Sequence, residues 1–170
     1  MKKLIAILLA ALMLFSMTAC GSTSESADSS ETVEKVTAQG DAQLILDDFY
    51  AKMETEQTAL DLATELATAD YLPFEGAAME VEPGWLMGFS AEEITGFAEG
   101  AMFAPMIGTI PFIGYVFTMD ADADVDAFMQ TLKDNADPRW NICTEAEEVV
   151  VANVGNTVLF VMAPLSFDGE

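Results

Sequence analysis

The sequence contains no histidine and only two cysteines, Cys20 and Cys143. Without an imidazole, the chain cannot carry out Ser/His or Cys/His catalysis, use histidine metal ligands or switch its charge through histidine near neutral pH. It also lacks a Cys-x-x-Cys motif and a glycine-rich phosphate-binding loop. We therefore expect a protein that is not an enzyme and that holds no cofactor and no resident metal.

Basic residues are also scarce. The chain has six lysines and arginines against 29 aspartates and glutamates, which gives a formal net charge of −23. A surface of this charge repels DNA, RNA and anionic lipid headgroups, so nucleic-acid binding is excluded. The partners that the charge allows are cations, basic protein surfaces and neutral ligands.

The first twenty residues have the pattern of an export signal. Lys2 and Lys3 precede an uncharged apolar run over residues 4–15, and Met17-Thr18-Ala19-Cys20 follows it. A membrane-spanning helix needs about 20 apolar residues, which is longer than this run. The segment ending at Cys20 resembles the lipobox of bacterial lipoproteins. The resemblance implies a signal peptide over residues 1–19, cleavage before Cys20 and a diacylglyceryl group on its thiol.

The composition of the rest of the chain indicates a tether followed by one domain. Residues 21–40 are rich in Ser, Thr, Glu and Ala, so we predict a lipidated Cys20 followed by a disordered tether up to residue 40. Residues 41–170 have the size of a single domain. With Cys20 used for the lipid, Cys143 has no disulfide partner, and we predict that it is buried. Loss of Lys2 and Lys3 with the signal peptide would bring the formal charge to −25.

Hydrophobic periodicity predicts an α+β domain with an antiparallel sheet of two hairpins and helices packed on one face. The predicted helices cover residues 41–53, 60–67 and 120–135, and the strands cover residues 77–82, 97–107, 110–119, 147–154 and 156–163. The turns between paired strands are Gly108-Thr109 and Gly155-Asn156. Ser90 and Glu93 have capping-box spacing, which predicts a short helical turn. Residues 100–119 carry no charge, but their glycines and prolines favour two core strands over a membrane span.

Two segments have residue patterns that could form a site. Asp120, Asp122, Asp124 and Asp126 alternate as calcium ligands do, but Val125 stands where the calcium loop needs glycine. Helix capping explains these acids better, and a divalent-cation-binding surface stays open as an alternative function.

The other segment, residues 137–145, contains Arg139, Trp140 and Cys143. Arg139 and Trp140 could grip a carboxylate or stack on a ligand ring, and they are the candidate ligand-binding residues. The competing interpretation, which we favour, pairs Arg139 with an acid and packs Trp140 in the core.

Residues 88–163 resemble a family of small Gram-positive lipoproteins that carry a domain of unknown function. The resemblance depends on residues 112–117, the helix that follows them, residues 137–143 and residues 155–160. It implies a protein attached to the cell membrane by its lipid, on the extracytoplasmic face, with no activity to transfer. We therefore predict a lipid-anchored binding or interaction module for a protein or small-molecule partner at the cell surface. A carboxylate- or cysteine-dependent enzyme is a further alternative.

Overall fold

A computed structural model describes residues 35–90, 92–107 and 110–167 of the chain. The predicted signal peptide, Cys20 and the first part of the predicted tether lie outside these residues, as does the predicted Gly108-Thr109 turn. The helices are α1 (Ala42–Lys52), α2 (Ala59–Ala67) and α3 (Val125–Asn135). The strands are β1 (Gly76–Glu80), β2 (Glu99–Pro105), β3 (Ile113–Thr118), β4 (Glu148–Val154) and β5 (Thr157–Ala163).

The five strands form one antiparallel sheet in the order β1-β2-β3-β5-β4. The α+β class and the antiparallel sheet are as predicted. The sheet is more than two hairpins, because β3 and β5 pair along their length and join the β2–β3 and β4–β5 units. The short strand β1 then pairs with β2 at one edge, and β4 forms the other edge.

The helices do not share one face of the sheet, which corrects a detail of the prediction. Helices α1 and α2 pack in one apolar cluster with residues such as Phe103 and Leu159. Helix α3 and the loop between β1 and β2 pack in a second cluster with Tyr115 and Phe160. Because successive residues of a strand face opposite sides, these clusters lie on the two faces of the sheet. Strands β3 and β5 are apolar on both sides, so both faces need a cover.

Local signals explain where the elements begin and end. Thr58 caps α2 by accepting a hydrogen bond from the Asp61 amide at 3.1 Å, and Asp124 caps α3 in the same way. Gly155 adopts a φ of 55° in the β4–β5 turn, a conformation that glycine adopts without strain. The described residues of the helical turn predicted at Ser90, which are residues 90, 92 and 93, are not helical. Gly84 and Ile94 in that loop instead form an isolated β-bridge, and Ser90 donates its amide to the Asn135 carbonyl.

Candidate binding surface

Arg139 and Trp140 lie in the loop between α3 and β4, and their side chains have different surroundings. The Arg139 side chain is 74% exposed, and its guanidinium is 3.5 Å from a carboxylate oxygen of Glu145, itself 56% exposed. Trp140 is half-buried against the α3-side cluster. Arg139 therefore pairs with an acid and Trp140 packs against the core, as the favoured interpretation predicted, but the ion pair lies at the surface. Exposed pairs of this kind contribute little to stability.

Cys143, in the same loop, is exposed, so the prediction that it is buried is wrong. The loop folds on its own backbone: the Ala146 amide donates to the Pro138 carbonyl at 2.9 Å, and Thr144 donates to Asn141 at 2.8 Å. These bonds turn the tip of the loop away from the core, and the neighbouring Ile142 is 94% exposed. The sequence contains an apolar stretch here but no sign of that turn.

One of the four alternating aspartates, Asp124, caps α3, in agreement with the capping interpretation. Asp124 accepts a hydrogen bond from the Ala127 amide at 3.0 Å, and Asp126 lies in the first turn of the helix. Within the part of the chain that the structure describes, no three acidic or thiol side chains are grouped so as to hold a metal ion.

Glu148 is a structural residue that sequence reasoning missed. It is the one charged side chain among the described residues that is buried, at 8% exposure. Its carboxylate accepts hydrogen bonds from the backbone amides of Gln39 and Gly40, the latter at 3.1 Å. A buried carboxylate needs hydrogen-bond partners of this kind, because an unpaired polar group in an apolar setting is costly. Glu148 thus fastens the start of β4 to the segment that leads into α1.

That segment, residues 35–40, is called the strap here. Val36 and Ala38 pack against the α1–α2 cluster. The Val36 amide donates to the Tyr50 hydroxyl at 3.0 Å, and the Ala38 amide donates to the Gln43 side chain at 2.8 Å. The end of the predicted tether is therefore part of the folded domain. Two small apolar residues among polar ones were too weak a pattern to predict this.

The strap runs beside the edge strand β4 and leaves a cavity of about 340 Å³ next to it. Residues 36, 37 and 39 of the strap form one wall, and Lys133 of α3 stands on the other side. Residues 147–151 form the floor. We call this cavity the β4 slot.

A second hollow, of about 280 Å³, lies at the start of α2 and is bordered by Glu80, Glu82 and Glu99. Glu99 accepts a hydrogen bond from the Ala59 amide at 3.5 Å, so it also contributes to the helix N-terminus. This hollow is acidic like the rest of the molecule, and it lies at the β1 side of the sheet, away from the β4 slot.

Two tyrosines, the half-buried Tyr71 and the buried Tyr115, have a raised pKa. Burial raises the pKa of Tyr71, and the nearby Asp48 carboxylate raises it further. Burial also raises the pKa of Tyr115, whose hydroxyl donates a hydrogen bond to the Met87 carbonyl. Both hydroxyls have structural partners, since Tyr71 bonds to Asp48 at 3.2 Å and Tyr115 to Met87 at 2.8 Å.

Comparison with known proteins found no protein family, no curated protein and no solved structure that matches the chain. None of the helices in the described ranges is long and apolar enough to cross a membrane.

Proposed function

We propose that this protein is a lipid-anchored extracytoplasmic module that binds a partner at the cell surface and catalyses no reaction. The anchor is the lipid on Cys20, at the end of the lipobox-like segment. Two acyl chains on one residue are sufficient for stable membrane attachment. The observation that supports binding is the β4 slot, an ordered concavity along an open strand edge.

The acidic surface fits this role. The formal charge of −25 that the chain has after loss of Lys2 and Lys3 keeps it from adhering to an anionic membrane, so the domain faces outward from its anchor. The same charge accelerates encounters with basic protein surfaces. Membership of the lipoprotein family that the sequence resembles would agree with both points.

The anchor is tested by incorporation of labelled palmitate and by membrane fractionation. Cys20→Ala should abolish labelling and release or stall the precursor. Cys143→Ala removes the other cysteine and should leave labelling unchanged, which makes it the matched control. Label that persists in Cys20→Ala would contradict the lipoprotein assignment.

The binding role is tested by placing a photo-crosslinking amino acid at position 149 in intact cells. Val149 is on β4 and 38% exposed, whereas Met79 on the opposite edge strand is 57% exposed. We expect covalent adducts from position 149 and none of the same mass from position 79. Equal adducts from both edges, or none from either, would contradict a binding site at the β4 slot.

A further inference from the structure

We propose that the β4 slot receives an extended, basic segment of a partner protein, which adds to the sheet as a sixth strand. This inference rests on the proposed binding function and names the kind of partner and its mode of contact. Strand addition of this kind takes its affinity from backbone hydrogen bonds and its selectivity from side chains on either face.

The register of the β4–β5 hairpin shows which backbone groups are available. Val154 pairs with Thr157 across a two-residue turn, an arrangement in which these two residues exchange hydrogen bonds. Hydrogen-bonded and non-hydrogen-bonded pairs alternate along an antiparallel ladder. The amides and carbonyls of Val149, Val151 and Asn153 therefore point away from β5, to the open edge. No described residue forms a backbone hydrogen bond with them.

The strap borders this edge without occupying it. It is held by the side chain of Glu148 and by Tyr50 and Gln43 of α1, not by a backbone ladder with β4. Its contacts with the α1–α2 cluster place it to one side of the strand, and Lys133 of α3 stands on the other side. Because α1 and α3 both pack on β4, the edge is rigid before a partner arrives.

The strand itself is suited to pairing. Its seven residues contain no proline and no charge beyond Glu148 at its start. Natural edge strands that avoid pairing use lysine, proline or bulges, and residues 149–154 have no lysine or proline. An edge this long and apolar is a template for another strand.

The charge of the chain decides between two occupants. A second copy would bring together two molecules that each carry a net charge of −23, and their repulsion opposes pairing of β4 with itself. A segment rich in lysine or arginine is attracted by the same field. The basic segment is therefore the favoured occupant.

The probe for the test is the fluorescein-labelled hexapeptide Lys-Val-Lys-Val-Lys-Val, with the purified full-length protein in detergent. Fluorescence anisotropy measures its binding, and amide exchange follows positions 149, 151 and 153. We expect binding with slower exchange at these amides. A fully N-methylated peptide, which cannot donate backbone hydrogen bonds, and a version with glutamate in place of lysine should not bind.

Val149→Pro removes an outward amide, and Val149→Thr keeps both the amide and the branched shape. We expect the proline variant to bind about tenfold more weakly or worse and the threonine variant to bind as the native chain does. Asn153→Pro repeats the test at the other end of the strand if Val149→Pro fails to fold.

Several outcomes would overturn the inference. These are no binding up to about 1 mM peptide, unchanged exchange at the three amides, or unchanged binding by folded proline variants. Concentration-dependent dimers that the proline variants abolish would assign the edge to a second copy instead. If position 149 crosslinks a partner in cells but the peptide does not bind, the binding function is supported and strand addition by a basic segment is contradicted.

Discussion

Several polar side chains in this domain form hydrogen bonds with backbone groups of segments outside the helices and strands. Glu148 holds the strap, Tyr115 holds the Met87 carbonyl, and Asp41 accepts a hydrogen bond from the Phe167 amide at 2.7 Å. Buried backbone groups outside helices and strands need such partners, because an unpaired amide in an apolar setting is costly. These three residues therefore hold in place segments whose backbone groups are not hydrogen-bonded within a helix or a sheet.

The contact between Glu148 and the strap leads to a stability prediction. Glu148→Ala leaves the Gln39 and Gly40 amides without their acceptor, so we expect a loss of roughly 1–3 kcal/mol in the free energy of unfolding. Denaturant titration measures the loss, and limited proteolysis should show earlier cleavage within the strap.

Glu147→Ala is the matched control for Glu148→Ala. Glu147 is exposed and its carboxylate accepts one hydrogen bond, from the Leu165 amide at 3.1 Å, so its loss should be smaller. Equal effects of the two variants would mean that Glu148 does not fasten the strap.

The buried Tyr115 should make the folded domain less stable at alkaline pH. Burial raises its pKa in the folded state above the ordinary value of 10.0. Its neutral form therefore stabilises the fold fully below about pH 10, and this contribution falls as the pH rises further, because the unfolded chain ionises first.

Unfolding followed from pH 8 to pH 11 should show stability falling above about pH 10. Tyr115→Phe should make the fall shallower, even though it loses the bond to Met87 and is less stable at pH 8. If the fall in Tyr115→Phe and in Tyr71→Phe is as steep as in the native protein, neither hydroxyl contributes to it.

The role of a residue could be predicted from the sequence where its contacts are with near neighbours in the chain. The Gly155-Asn156 turn and the capping of α3 by its aspartates depend on a few adjacent residues, and both were predicted, although the helix begins at Val125 and not at residue 120. The roles of Glu148 and Cys143 depend on where distant segments lie. Glu148 meets amides more than a hundred positions away, and the exposure of Cys143 follows from a loop folding on itself.

At the scale of elements, periodicity identified the helices and the paired strands but not the order of the strands. Pairing between β3 and β5 joins segments from different hairpins, and no local pattern encodes such a contact. The apolar pattern of β5 on both faces indicated a central strand, which the structure confirms. It also implied a cover on each face, so α3 could have been placed opposite α1 and α2.

Phe160 at the centre of β5 tests that arrangement. It is fully buried, with its ring centroid 4.7 Å from that of Phe89 and 6.3 Å from that of Tyr115. Phe160→Ala should lower the free energy of unfolding by about 3–5 kcal/mol, since it removes a ring and leaves a cavity. Ile107→Ala, at a position 89% exposed, should change it by less than about 0.5 kcal/mol. Similar values for the two would contradict a central β5.

At the scale of the whole molecule, a strong negative charge surrounds an apolar two-sided sheet. The acids in the described ranges are spread over helices, loops and strand ends, and they do not converge on one ion site. The repulsion summed over all these acids, and not that of any single pair, destabilises the folded state. Salt should therefore stabilise this protein by screening, whichever cation supplies it.

Thermal unfolding in NaCl and in CaCl2 at matched ionic strength separates that field from a specific site. We expect the melting temperature to rise with salt and the two series to agree within about 2–4 °C, the shift that about 1 kcal/mol causes in a chain of this size. Asp122→Asn removes one charge from the alternating aspartates and should leave the difference between the two salts unchanged. A large calcium-specific rise that saturates at millimolar calcium or below and disappears in Asp122→Asn would instead support the divalent-cation-binding function.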